Sequence, residues 1–347
     1  MRGICVVGAG AVGGYVGARL AAAGHVTTAV ARGATLRALR AHGWRLRTAD
    51  GQALGEVAGQ PAGRVPVPVT GEVTAPVRAT DEPAELGPQD VVVIAVKAPA
   101  LPSVADRIAP LLDEDTVIVS AMNGVPWWFF DGFGGPCDGL RLPAIDPGGT
   151  LTAALPASHV IGCVLHIAVS APEPGVTLHK AGHRFIVGEP DGRVSARLTA
   201  LAETFGSAGM DVNVSTRIRR DIWYKLWGNM TMNPVSALTG ATSDLILDDE
   251  LVNAFCRGVM TEAAAIGAKI GCPIEESPYD RNAVTRKLGA MKTSMLQDAE
   301  AGKPLEIDAL LTSVREIGQA VDEPTPFIDA LLGLTRLSAR VRGLYPW

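Results

Sequence analysis

The chain has 347 residues, of which 47% are hydrophobic, 19% charged and only 5% aromatic, with a formal net charge of -5. That length exceeds what one hydrophobic core usually serves, and the composition excludes extensive disorder, so two domains are expected. An acidic balance without a polybasic run excludes the electrostatic footprint of a nucleic-acid binder or an anionic-membrane binder, which leaves small molecules as the expected partners.

In chain order, Ile4-Cys5-Val6-Val7 predicts a short buried strand, Gly8 to Gly14 a tight turn, Tyr15 to Ala23 a helix ending at Gly24, and Val26 to Val30 a second strand. Together they make one βαβ unit. The apolar run Ile4 to Val16 followed by three alanines imitates a secretory leader, but Gly8, Gly10, Gly13 and Gly14 would break a leader helix. No later stretch approaches the roughly 20 apolar residues needed to span a bilayer. Gly51 to Glu85, rich in Gly, Pro, Val and Thr, predicts irregular turns and short strands. Asp90 to Val96 and Thr116 to Ser120 read as parallel strands buried on both faces. Strands alternating with helices imply a doubly wound parallel sheet of Rossmann type.

From about Ser195 the helical patterns lengthen, and β-branched runs become rare apart from Val212-Asn213-Val214. Helices are expected over Arg219 to Thr231, Asp249 to Gly267, Tyr279 to Glu300 and Ile307 to Val321. A boundary near Thr216 divides the chain into an α/β domain, residues 1–216, and a mainly α-helical domain, residues 217–347. The five cysteines, at 5, 137, 163, 256 and 272, are odd in number and scattered without CxxC spacing. They predict reduced thiols in a cytoplasmic protein rather than a metal or redox site.

Gly8-Ala9-Gly10-Ala11-Val12-Gly13 follows a strand and opens a helix, the context in which GxGxxG signals dinucleotide binding. Gly8 serves the tight turn, Gly10 lets backbone approach a pyrophosphate, and Gly13 permits close helix–sheet packing, while the helix N-terminus presents amides to the phosphates. NAD enzymes place an acidic residue about 20 residues further on, for the ribose 2′-hydroxyl. Here the first acidic residue of the chain is Asp50, and the second strand ends at Ala31-Arg32, with Arg37 and Arg40 beyond. Arg32 is the expected contact to a 2′-phosphate, which favours NADPH/NADP, whereas Arg40 reads as a solvent-facing residue.

Lys225, Asn229 and Asn233 recur at i, i+4 and i+8, so they stack along one helix face, while Trp223, Leu226, Trp227 and Met230 pack elsewhere. Asparagine is a poor helix former, and a solvated stripe would carry Glu, Lys or Gln. Amides there suit a substrate carboxylate or hydroxyl.

The sequence resembles the ketopantoate reductase family over nearly its whole length. The resemblance rests on Val7 to Gly13, Ala95-Val96-Lys97, Asn123-Gly124, Trp223-x-Lys225-Leu226-x-x-Asn229-x-x-x-Asn233-Pro234, Ser294 to Asp298 and Glu306-Ile307-Asp308. It implies NADPH-dependent reduction of a 2-keto acid, 2-dehydropantoate to (R)-pantoate in pantothenate biosynthesis, by a monomer or homodimer. Lys225 would be the general acid, Asn229, Asn233 and Ser294 would bind substrate, and Glu306 would lie near both the nicotinamide ribose and the substrate and orient Lys225. Lys97, Asn123 and Ala168 would meet the cofactor, Ala168 following the strand that begins near Ile161.

Departures fall on the substrate side. Ser243, taken as a substrate contact, stands where the family often has a further Asn, and Leu311-Thr312 replaces an Asn-Gly. The stretch after Asn123 is longer than usual and carries Pro126-Trp127-Trp128-Phe129-Phe130, read either as a buried anchor or as a wall of the substrate site or a subunit contact. A wall of that kind would suit a bulkier keto acid, making the protein a reductase or D-2-hydroxy acid dehydrogenase for that acid. An NADP(H) sensor without catalysis is the alternative from another class.

Overall fold

The computed structural model describes residues 3–48 and 71–347, so most of the irregular stretch expected from Gly51 lies outside the described residues. These residues form two compact units, one containing the chain up to Met122 with Leu151–Ile218, the other Asn123–Thr150 with Arg219–Trp347. A single cut near Thr216 leaves residues 123–150 with the sheet, whereas they group with the helices. The physical reason is a set of ties, described below, between that segment and helices of the second unit.

In the first unit the strands are β1 (Ile4–Val7), β2 (Thr27–Val30), β3 (Trp44–Thr48), β4 (Glu72–Ala75), β5 (Arg78–Thr80), β6 (Val91–Ile94), β7 (Val117–Ser120), β8 (Val160–Glu173), β9 (Val176–Gly188) and β10 (Asp211–Val214). They make one sheet in the order β4-β3-β9-β8-β7-β6-β1-β2-β5, with β10 also paired to β9. β1 sits between β2 and β6, parallel to both, with Ile4 opposite Thr27 on one side and Val91 on the other. Every residue of β1 and β7 is buried, as continuous apolar runs in a covered parallel sheet require. The accompanying helices are α1 (Ala11–Ala22), α2 (Gly33–His42), the short α3 (Pro102–Ala105) and α4 (Thr150–Ala154), and α5 (Ala196–Ser207). Ser195 starts α5 by accepting a hydrogen bond from the Leu198 amide.

The α/β doubly wound reading holds, with one large addition. β8 and β9 form a long antiparallel hairpin turning at Gly175, whose φ is +75°. Its far end lacks a continuous apolar run, so the sequence shows only its beginning near Ile161. Ala168 therefore lies inside β8 rather than after it, opposite Ala181, with register shifts on both sides.

The second unit is helical: α6 (Ile218–Thr239), α7 (Ser243–Asp248), α8 (Glu250–Lys269), α9 (Pro278–Arg286), α10 (Ser294–Glu300), α11 (Ser313–Ala320) and α12 (Pro326–Val341). α6 runs past its expected end at Thr231 and contains Pro234. Packing outweighs that helix-breaking residue, for Trp223, Leu226, Trp227 and Met230 are buried and the two indole N–H groups donate to the Ala263 and Met260 carbonyls of α8, at 3.2 and 2.7 Å. The helix expected over Tyr279 to Glu300 is two helices. Gly289, at φ +61°, separates them, and Thr293 caps the second by accepting from the Leu296 amide. Ile307 to Val321 opens as a π-helical turn, Asp308–Thr312, before becoming α11.

Candidate active site

At the end of β1 the three glycines have three different surroundings. Gly8 has φ +95°, and a Cβ there would lie 2.6 Å from Val96 Cγ1 and 2.9 Å from Val96 N. A Cβ on Gly13 would lie 2.1 Å from the Gly8 carbonyl oxygen and 2.8 Å from Val6 Cγ1, so only glycine lets α1 approach β1 this closely. Gly10 is exposed, and nothing lies within 4 Å of where its Cβ would be. It is the N-cap of α1, with no side-chain cap and no acidic residue in the first turn. Ala11 and Val12 form that half-buried first turn, and Ala9 is buried beneath it. The first-turn amides of α1 thus border open space, the arrangement that accepts an anion.

Arg32 is exposed at the end of β2 and is the N-cap of α2. Arg37 and Arg40 are exposed as well, Arg40 with its Nε donating to the Ala79 carbonyl at 3.1 Å and its guanidinium 3.8 Å from Asp81. Lys97 is exposed just beyond β6, and Ala168 is half-buried on β8.

In the second unit Lys225, Asn229 and Asn233 lie on α6, the first two half-buried and Asn233 buried. Lys225 Nζ donates to Asn123 Oδ1 at 2.8 Å. The resemblance placed Asn123 with the cofactor, and its contact with Lys225, across 102 residues of chain, has no local signal in the sequence. The segment bearing Asn123 is held firmly. Gly124, at φ +82°, presses against the π-helical turn, where an added Cβ would lie 2.4 Å from the Ala309 carbonyl oxygen, and the Val125 amide donates to that same oxygen at 3.0 Å.

The aromatic run that follows is a buried anchor. Trp127, Trp128, Phe129 and Phe130 are all buried, and Phe129 packs against Phe130, Phe133 and Trp223. Arg219, near the start of α6, donates through Nε to the Phe129 carbonyl at 2.7 Å and through Nη2 to the Asp131 carbonyl at 2.5 Å, with its guanidinium 4.7 Å from the Phe133 ring centre. Farther along, the Glu316 carboxylate on α11 accepts from the Ala144 amide at 3.1 Å, and burial raises its pKa above the usual carboxylate range. These ties fix residues 123–150 to the second unit.

Ser294 is the exposed first residue of α10, and Glu306 is a buried carboxylate just before the π-helical turn. Ser243 is fully buried, and its hydroxyl donates to the Gly289 carbonyl at 2.8 Å, which commits the proton to joining α7 to the loop after α9. Among the described residues no group of three or more His, Cys, Asp or Glu could hold a metal ion, and no helix is long and apolar enough to cross a membrane. All five cysteines are buried.

A doubly wound sheet with this glycine loop, followed by a helical unit carrying a lysine and two asparagines on one face, defines a Rossmann-type oxidoreductase with a separate α-helical unit. Residues 4–127 match the family described as ketopantoate reductase PanE/ApbA, and residues 217–339 match its C-terminal part. The chain is 46% identical over 343 residues to the 2-dehydropantoate 2-reductase of Mesorhizobium japonicum, covering 99% of each. It is 58% identical to a Ralstonia solanacearum MolK2 protein assigned to the ketopantoate reductases, with a TM-score of 0.90 and 99% of each chain covered. The 2-dehydropantoate 2-reductase of Geobacter metallireducens GS-15 is 27% identical, with a TM-score of 0.79, covering 96% of this chain and 99% of the other. The chain belongs to the ketopantoate reductase family, whose members are nicotinamide-dinucleotide-dependent oxidoreductases.

Proposed function

We propose that this protein reduces 2-dehydropantoate to (R)-pantoate with NADPH, in the cytoplasmic pathway to pantothenate, and does so as a homodimer. Full-length likeness to 2-dehydropantoate 2-reductase supports the reaction, and the contact of Lys225 Nζ with Asn123 Oδ1 is the observation that carries the mechanism. The residues suit the cofactor: open space at Gly10, uncapped first-turn amides of α1 and exposed Arg32 fit a pyrophosphate and a 2′-phosphate. Lys97, Asn123 and Ala168, with Glu306, complete the proposed cofactor set. When bound, the reduced nicotinamide supplies a hydride to the keto carbon.

Lys225, as an ammonium, donates a proton to the carbonyl oxygen and is left as the neutral amine until water reprotonates it. Its positive charge also stabilises the alkoxide as it develops. Asn123 Oδ1 accepts one of the three ammonium N–H bonds and so fixes the direction of the others. Asn229 and Asn233, on the same face of α6, would orient the substrate carboxylate and hydroxyl together with Ser294. Ser243 drops out of the substrate set because its proton is already committed to Gly289. The buried aromatic run gives no support to a bulkier keto acid, since its rings are taken up by packing within their own unit.

The test is NADPH oxidation by the purified protein with 2-dehydropantoate, a panel of other 2-keto acids, and NADH as the cofactor control. Highest kcat/KM for 2-dehydropantoate with NADPH is expected. Preference for another keto acid would overturn the named substrate, and NADPH binding without turnover of any keto acid would point to a sensor.

A further inference from the structure

Thr312 stands where the family often has a glycine, and its hydroxyl donates to Asp308 Oδ1 at 2.8 Å. The same oxygen accepts from Tyr345 Oη at 2.7 Å, across 37 residues of chain. Burial, then the bond to Asp308, push the Tyr345 hydroxyl up to about 12, so it stays a donor at any ordinary assay pH. Asp308 opens the π-helical turn, in which the Ser313 amide donates to the Asp308 carbonyl five residues back. Single wide turns of this kind recur at functional sites.

Tyr345 belongs to a short segment that follows α12. Gly343, at φ +69°, ends the helix: its amide donates to the Arg340 carbonyl at 2.9 Å and the amide of buried Leu344 to the Ala339 carbonyl at 2.7 Å. The Leu344 carbonyl then accepts from the Leu305 amide at 3.0 Å. Glu306 is therefore held between two ties to consecutive residues, Leu305 to Leu344 and Asp308 to Tyr345. The Arg340 guanidinium lies 5.6 Å from the Tyr345 ring centre, a cation–π contact that steadies the ring. Arg342 donates to the Ala237 carbonyl in α6 and the Ala299 carbonyl in α10, at 3.1 and 3.3 Å. One segment thus reaches the three elements that carry Lys225, Ser294 and Glu306. From the same π-helical turn the Ala309 carbonyl accepts from the Val125 amide at 3.0 Å, two residues past Asn123, whose Oδ1 holds Lys225 Nζ. Gly124 lies too close to Ala309 for any side chain, so a shift of the turn displaces Asn123 with it.

We propose that Tyr345 and Thr312 are positioning residues for the reduction: through Asp308 they set the π-helical turn, and with it Glu306 and the Asn123 that directs Lys225. This rests on the reading above, in which Lys225 donates the proton. Tyr345→Phe keeps the ring and removes one hydroxyl, and Thr312→Val keeps the shape and removes the other. In each, kcat for the preferred 2-keto acid should fall about tenfold, part of the ~100-fold that a 1 Å misplacement can cost. KM for that acid and Kd for NADPH should stay within about twofold, because uniform binding is untouched. On a Lys225→Ala background Tyr345→Phe should leave the residual turnover unchanged, because the group it positions is gone. A merely structural role would lower turnover on both backgrounds alike. All rates are read at a temperature where circular dichroism shows every variant native, and Thr312→Val carries the test if Tyr345→Phe does not fold. Wild-type kcat in the variants, or an equal loss on the Lys225→Ala background, overturns the proposal and leaves the reading above standing. A wild-type protein that turns over no 2-keto acid overturns both.

Discussion

Alanine placed singly at Gly8, Gly10 and Gly13 should separate the glycines that serve the fold from the one that serves the ligand. At Gly13 the new methyl would lie 2.1 Å from the Gly8 carbonyl oxygen and 2.8 Å from Val6 Cγ1, both on or beside the β1 backbone, so α1 must back away from the sheet. Overpacking of this kind costs about 1–3 kcal/mol. Each kcal/mol lowers Tm by roughly 2–4 °C in a unit of about 150–250 residues, the size range of the first unit. At Gly8 the methyl meets Val96 N at 2.9 Å, and φ +95° adds a left-handed penalty of about 1–2 kcal/mol. At Gly10 there is no clash and φ is an ordinary -83°. The modest cost of alanine at an N-cap there is offset by a stiffer unfolded chain, each on the order of 0.5–1 kcal/mol. Yet that methyl fills the space proposed for the pyrophosphate, so Kd for NADPH should rise at least tenfold, about 1.4 kcal/mol. Thermal melts of the ligand-free protein and calorimetric titration with NADPH read the two effects separately. Unchanged NADPH affinity in Gly10→Ala would refute the phosphate-site reasoning, and an unchanged Tm in Gly13→Ala would refute the packing argument.

Lys225→Ala should lower kcat by roughly 10²–10⁴-fold, the range for a lost general acid, with little change in Kd for NADPH. Asn123→Ala should do less alone and add little on top of Lys225→Ala, because the two act as a unit; additive losses in a double-mutant cycle would contradict that. The His183 imidazole, in hydrogen-bond range of Tyr15 Oη at 3.4 Å, is pushed down to about 4 by burial, with the neighbouring His179 and Arg19 adding to it. The unfolded imidazole takes its proton near pH 6.5. The unfolded chain therefore binds more protons between those values, and stability falls as pH drops from about 6.5 to about 4. Tm should decline less steeply over this window in His183→Gln, and identical slopes would exclude the contribution. Burial pushes the thiols of Cys5, Cys256 and Cys272 up, to about 11, 12 and 12. A disulfide reagent at pH 8 should accordingly find almost no reactive thiol in the native protein and five after denaturation; rapid native labelling would be the contrary result.

Local chemistry determined much of this protein. The strand, glycine turn and helix at Ile4 to Ala22 are legible because steric freedom and the apolar run act over a few neighbouring residues. Lys225, Asn229 and Asn233 share a face because helix geometry alone sets a four-residue repeat. Motifs in order along the chain give the family for the same reason, each being short and self-contained. Tertiary structure decided whatever depends on partners far away in the chain. The β8–β9 hairpin carries no uniform apolar run, and its register comes from pairing across the sheet. The aromatic run could have been a wall or an anchor until Arg219, 90 residues away, was found holding the Phe129 carbonyl. Ser243 looked available until its hydroxyl met the Gly289 carbonyl, and Lys225 acquired Asn123 only through folding. A sequence records which groups can pair and how neighbours repeat. Which distant donor meets which acceptor is settled by the packing of whole elements, in which buried polar groups must find partners wherever the fold brings them.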